Sequence, residues 1–125
     1  MPVDLPVARL SRHCDPFRDQ AWGVAVTRAD VRRALRERRL VPVPGTDDHA
    51  GRIAYLVENE AADPIEVDVG VPEMHCYVGW LVQDGNHRLA AAMIAGREKI
   101  SASVGGSLGY AKRLFGVDCL EPDAT

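Results

Sequence analysis

Apolar and polar positions change period several times along this chain, and each change predicts a new element. Residues 65–71 alternate, with Ile65, Val67, Val69 and Val71 on one side and Glu66, Asp68 and Gly70 on the other, which predicts a half-exposed strand. Residues 77–83 form a short run rich in aromatic and β-branched side chains, the pattern of a buried strand. A loop from Pro72 to Cys76 joins the two, so they should form a hairpin. Asp84-Gly85 stops the second strand, because Gly turns the chain and Asp bonds to nearby backbone N–H groups. Leu89, Ala92 and Met93 then recur at helical spacing, which predicts a helix over 86–95 with Asn86 as N-cap and Gly96 as the closing residue. A strand over 100–104 follows, and Ser107 caps a last short helix over 108–115 that Gly116 ends.

Upstream, residues 21–26 predict a short strand, after which Thr27 and Asp30 make the S/T-x-x-D/E start of a helix over 28–40. Val31, Ala34 and Leu35 are its apolar stripe. Residues 41–45, Val-Pro-Val-Pro-Gly, are an extended linker. Asp47 or Asp48 caps the next helix, which runs to about Ala62 with Ile53, Leu56, Val57 and Ala61 facing inward. Residues 1–20 read as an irregular N-terminal arm, residues 21–116 as a single domain and residues 117–125 as a polar tail. The expected class is α+β: a small mixed β-sheet with helices packed on it.

Composition narrows the partners. A chain of 125 residues supports one core, and 46% apolar with 26% charged residues is ordinary for a globular domain. A net charge of −3 gives the domain as a whole no general attraction for nucleic acid. A local patch would have to supply any DNA contact, and Arg28, Arg32, Arg36 and Arg39 fall at i, i+4, i+8 and i+11 of the helix over 28–40. The same arginines also read as a solvated face whose stems cover the core edge. Three widely spaced cysteines without a C-x-x-C pair suit a reducing compartment. Neither a secretory start nor an apolar stretch of spanning length is evident, so the expected location is cytoplasmic, with no membrane partner.

Candidate chemistry concentrates at the turn Asp84-Gly85-Asn86-His87-Arg88. A helix start carries unpaired N–H groups and about half a positive charge, so cations in its first turn are misplaced by roughly 0.3–1 kcal/mol. A bound anion reverses that sign, because N–H groups, guanidinium and imidazole would converge on it. The alternative is that Asp84 neutralises Arg88 and His87 lies on the surface. Gly106 and Ser107, at the start of the last helix, give a second candidate phosphate contact beside the simpler reading as a connection. Glu58 and Glu60 lie near the unfavourable end of their helix, where they are either surface acids or candidate general bases. His13-Cys14 and His75-Cys76 fit no usual zinc spacing, so no metal ligands are assigned. Neither G-x-S-x-G, a P-loop motif nor H-E-x-x-H occurs.

The segment Gln-Asp-Gly-Asn-His-Arg-Leu-Ala-Ala-Ala at 83–92, followed by a helix, a Gly and a short strand, resembles the ParB/sulfiredoxin superfamily. The helix over 52–62 and the strand after Pro64 look like that superfamily's preceding elements. The resemblance covers about residues 50–105 and is specific only at Asp84 to Arg88. It implies a ParB/sulfiredoxin-like fold with nucleotide phosphates held at Asp84, Gly85, Asn86, His87 and Arg88; Mg2+ with ATP or CTP is expected because bound polyphosphates usually carry it. Sulfiredoxins carry their reactive cysteine where this chain has Asn86, so sulfinic-acid repair is not implied. Three functions then remain: a phosphotransferase or NTP hydrolase, with Glu58 or Glu60 as base; a DNA-partition-type module that uses Arg28, Arg32, Arg36 and Arg39; or a non-enzymatic interaction domain.

Overall fold

A computed structural model describes residues 2–119 of the chain. Within it, β1 (Val3–Pro6) leads into α1 (Val7–His13), followed by α2 (Arg28–Arg36), α3 (His49–Glu58), β2 (Ile65–Asp68), β3 (Val82–Asp84), α4 (Asn86–Ala95), β4 (Lys99–Gly105) and α5 (Leu108–Phe115). The four strands form one mixed sheet in the order β1-β4-β2-β3. β2 and β4 run parallel in the centre, with Ile65 opposite Ala102, while β1 and β3 pair antiparallel on the outer edges. The α+β class and the hairpin between β2 and β3 agree with the residue pattern.

One face of the sheet is covered and the other is open. Ile65, Val67, Ala102, Leu5 and Val82 are buried against Leu10, Leu89, Ala92, Ala111 and Phe115 from the helices. The alternate positions, among them Asp4, Glu66, Lys99 and Ser103, are exposed. A second core lies on the far side of α4, where Ala90 and Ala91 meet Val31 and Ala34 of α2 and Ala50, Ile53 and Ala54 of α3. Leu89, Ala90, Ala91 and Ala92 are therefore all buried, and α4 is the wall shared by both cores. Alanine suits that position: α4 is a helix apolar on both sides, and small side chains let its neighbours approach.

Three expectations are corrected here. The segment expected to be an irregular arm holds β1 and α1, with Leu5 and Leu10 fully buried. Residues 21–26 form no strand. Their Trp22 instead packs on α3 and α4 through His49 and His87. The apolar run at 77–83 pairs only from Val82, and Tyr77 is 72% exposed.

Helix ends match the residues that cap them. Thr27 and Asp30 form the reciprocal capping box of α2, Asp48 caps α3 by accepting from the Gly51 N–H, and Ser107 caps α5 by accepting from the Tyr110 N–H. α2 stops at Arg36 rather than continuing to residue 40, with Arg38 in the left-handed region at φ 57°. α3 stops at Glu58, where Arg97 donates to the carbonyls of Leu56 (3.2 Å) and Val57 (2.9 Å) and so satisfies the end of that helix. Of the tail, Cys119 is buried; residues 120–125 lie outside the described part.

Candidate functional site

The link from β3 to α4 depends on Gly85. This residue, not Asn86, is the N-cap, at φ 110°. A Cβ here would lie 2.7 Å from the Cβ of Ile65 and closer still to its Cγ2, so both the backbone angle and the approach to β2 require glycine. Asn86 is the first helical residue. Its side chain turns back toward the preceding segment, accepting from the Trp80 indole N–H at 2.9 Å and donating to the Val82 carbonyl at 3.4 Å. α4 therefore starts without a side-chain cap, unlike α2, α3 and α5. The Leu89 N–H closes onto the Gly85 carbonyl at 2.9 Å, and the N–H groups of Asn86, His87 and Arg88 meet no acceptor among the described residues.

Arg88 lies along the start of β2. Its Nη1 donates to the carbonyls of Asp63 (2.8 Å) and Pro64 (3.2 Å), and Nη2 donates to Asp84 at 3.3 Å. The guanidinium is thus partly committed to the protein's own backbone, and its side chain is only 19% exposed. Its remaining partner is loose, since the Asp84 side chain is 72% exposed.

His87, next to it in α4's first turn, packs against His49 of α3 and Trp22. Its Nε2 lies 3.0 Å from the Nδ1 of His49, and the two rings are within 14° of parallel with centroids 5.2 Å apart. That spacing exceeds the N···N distance by about one ring width, so the imidazoles meet edge to edge through one hydrogen bond. The Trp22 indole covers both, with centroids 4.8 Å from His87 and 5.4 Å from His49. Burial, reinforced by His49 and Arg52, pulls the pKa of His87 down to about 4. In the absence of ligand His87 is therefore neutral at physiological pH. The expected pair of cations at 87 and 88 is corrected to one guanidinium and one neutral imidazole.

Two adjoining clefts meet at Arg88. The first, of about 370 Å³, is lined by Arg52, Asp63, Asp84, Gly85, His87 and Arg88 with Pro44 and Leu56. The second, of about 470 Å³, continues past Arg88 to Glu60, Arg97, Lys99 and Ser101 over an apolar floor that includes Ile65 and Ala92. Arg52 is the cation that sequence reasoning missed. It sits one turn after His49 on α3, and nothing local ties residue 52 to residue 88.

Other expected residues lie elsewhere or are engaged. Glu58 is bound by both guanidinium nitrogens of Arg38, which hold its carboxyl below the usual range, and it lines neither cleft. Glu60 lies 3.7 Å from Arg97. A carboxylate held by a cation is a weaker base, so the Arg38 pair makes Glu58 a poor candidate base, while Glu60 lines the second cleft. Gly106 packs against Gly70 and Asp68, past the far end of β2 from Gly85; the strand between them rises about 3.3 Å per residue, so the two sites do not meet. The Ser107 N–H donates to the Gly70 carbonyl, and its hydroxyl caps α5 and holds the Glu73 carboxyl below its ordinary range. Of the four arginines, Arg28 lies over the Phe17 ring at 4.9 Å and Arg39, beyond the end of α2, pairs with Asp48 at 3.3 Å. Arg28, Arg32 and Arg36 are exposed cations on α2 with no ion pair among the described residues, and Arg39 lies beyond the helix end in its pair with Asp48, so the helix itself carries three of the four.

Among the described residues no group of three or more His, Cys, Asp or Glu is placed to hold a metal ion, and no helix is long and apolar enough to cross a membrane. Fold and site together define a small α+β domain with a polar cleft at the start of its shared helix. Comparison with protein-family models, with curated proteins and with solved structures gave no match to this chain.

Proposed function

We propose that the protein binds a phosphate-bearing anion of nucleotide type at the first turn of α4. The observation that carries this reading is that Arg52 and Arg88 line one cleft together with Gly85 and His87 of the uncapped start of α4. A helix start of this kind favours an anion through both its free donors and its dipole. Guanidinium groups add planar, paired donors. Arg88 keeps Nη1 on the Asp63 and Pro64 carbonyls, which fixes its orientation, and presents Nη2. Asp84 occupies that nitrogen only through an exposed pair, worth about 0–1 kcal/mol, so a phosphate displaces it at small cost. The resemblance of Asp84 to Arg88 to the ParB/sulfiredoxin turn supports the same reading. Magnesium would arrive with the phosphates and neutralise their charge, with Asp84 and Asp63 as the carboxylates lining the cleft. Because Glu58 and Glu60 are ion-paired, the reading is of a binding domain, without an assigned base.

The test is a thermal-shift series with ATP, CTP, GTP and inorganic phosphate, with and without Mg2+. A ligand present at 100 times its Kd stabilises by about 2.7 kcal/mol, which is readily measured. Arg52→Gln should reduce the shift while the unliganded melting point stays near that of the parent. Absence of a shift with every ligand at millimolar concentration would overturn the reading.

A further inference from the structure

Resting on that reading, we propose that anion binding at the start of α4 is coupled to the uptake of one proton by the His49–His87 pair. The geometry of the pair is suited to a single extra proton. The N–H···N bond at 3.0 Å uses one donor and one acceptor of the pair, and the ring that donates can take a proton at its outer nitrogen without breaking that bond. The Trp22 face over both rings offers a cation–π contact to the charged form. A second proton would place two donors against each other and break the bond. The pair is therefore a one-proton device.

What sets its charge is the cleft on the other side of His87. From α3 the groups facing His87 are His49 and Arg52; across the cleft lies Asp63; from its own turn come Asp84 and Arg88; Trp22 and Pro44 carry no charge. Asp84 is held by Arg88, and Asp48, beside His49, is held by Arg39 and the Gly51 N–H. With the cleft empty, burial, His49 and Arg52 all disfavour the charged form of His87. An anion between Arg52 and Arg88 cancels their field and adds its own, and the charged pair becomes the favoured form. Linkage makes the effect reciprocal: if the anion raises proton affinity, protons raise anion affinity by the same factor. Binding should then tighten as pH falls from 6.5 toward 5.

The experiment is calorimetric titration of the intact protein with sodium sulfate and with ATP, at several pH values and in two buffers of different ionisation heat. Sulfate keeps its charge over this range, so any pH dependence belongs to the protein. The proposal expects uptake of up to one proton per anion near pH 5.5, and affinity for sulfate rising by up to about tenfold per pH unit as pH falls through this window. His87→Gln, which retains a side-chain hydrogen-bonding group beside His49, should bind with a weaker pH dependence and take up less than half the protons that the parent does. Binding of either anion with no proton uptake by the wild-type protein overturns the coupling and leaves the anion site standing. Uptake that persists undiminished in a folded His87→Gln protein also overturns it. Failure of both anions to bind overturns the site and, with it, the coupling.

Discussion

Replacing Gly85 by alanine tests how the candidate site is built, because the reason for glycine there is structural and can be sized. The residue holds φ 110°, and its place is filled from below by Ile65, which is fully buried in the central strand β2. A methyl group would meet the Cβ of Ile65 at 2.7 Å and its Cγ2 more closely. Ile65 has no room to retreat, since β2 is hydrogen-bonded on both sides, to β3 and β4. The positive φ costs an L-residue about 1–2 kcal/mol. Overpacking a filled core adds roughly 1–3 kcal/mol. Gly85→Ala should therefore lose about 2–5 kcal/mol, a large part of the 5–15 kcal/mol typical of a domain. Urea denaturation followed by far-UV circular dichroism measures it, with an unchanged m-value showing that the loss is one of stability. Gly109 is the control: it lies inside α5, has no positive φ and has open space where a Cβ would go. Gly109→Ala should be neutral or stabilising by up to about 1 kcal/mol. If Gly85→Ala falls within about 0.5 kcal/mol of the parent, the tight turn described here is not what fixes the start of α4.

Other outcomes follow from the same contacts. The folded pKa of His87 lies below its unfolded value of about 6.5, so its contribution is complete above pH 6.5 and is lost as pH falls toward about 4. Allowing for partial exposure of the ring, the difference is about 1–3 kcal/mol. It should appear as a slope present in the parent and absent in His87→Gln when stability is measured from pH 7 to pH 4.5. Thr27→Ala removes half of the capping box of α2 and should cost about 1 kcal/mol by chemical denaturation. Arg88→Met strands the Asp63 and Pro64 carbonyls and should cost about 1–3 kcal/mol; a protein of unchanged stability would show that the two bonds contribute nothing.

The legible parts of the fold were those with local causes. Thr27 with Asp30, Ser107, Gly96 and Gly116 mark helix ends through their own backbone chemistry, and the alternation from Ile65 to Val69 marks β2. β1 was not legible, because four residues that follow one proline and end on another become a strand only by pairing with β4 about a hundred positions later. The run at 77–83 misled because its apolar side chains serve packing and a Trp80–Asn86 hydrogen bond rather than a ladder. At the site, the turn Asp84 to Arg88 stood out, yet its electrostatics did not. What keeps His87 neutral is burial, under Trp22 among others, with His49 and Arg52, and what orients Arg88 is a pair of backbone carbonyls, which no residue pattern advertises. Gly106 and Ser107 have the composition of a phosphate loop, but they serve the packing and capping of α5 at the other end of β2.

The most direct measurement is a titration of 15N-labelled protein with ATP and with sulfate, followed by amide resonances. The account predicts the largest shifts at the N–H groups of Asn86, His87 and Arg88 and at the Arg52 side chain. No change at these groups, or changes confined to Gly106 and Ser107, would contradict it.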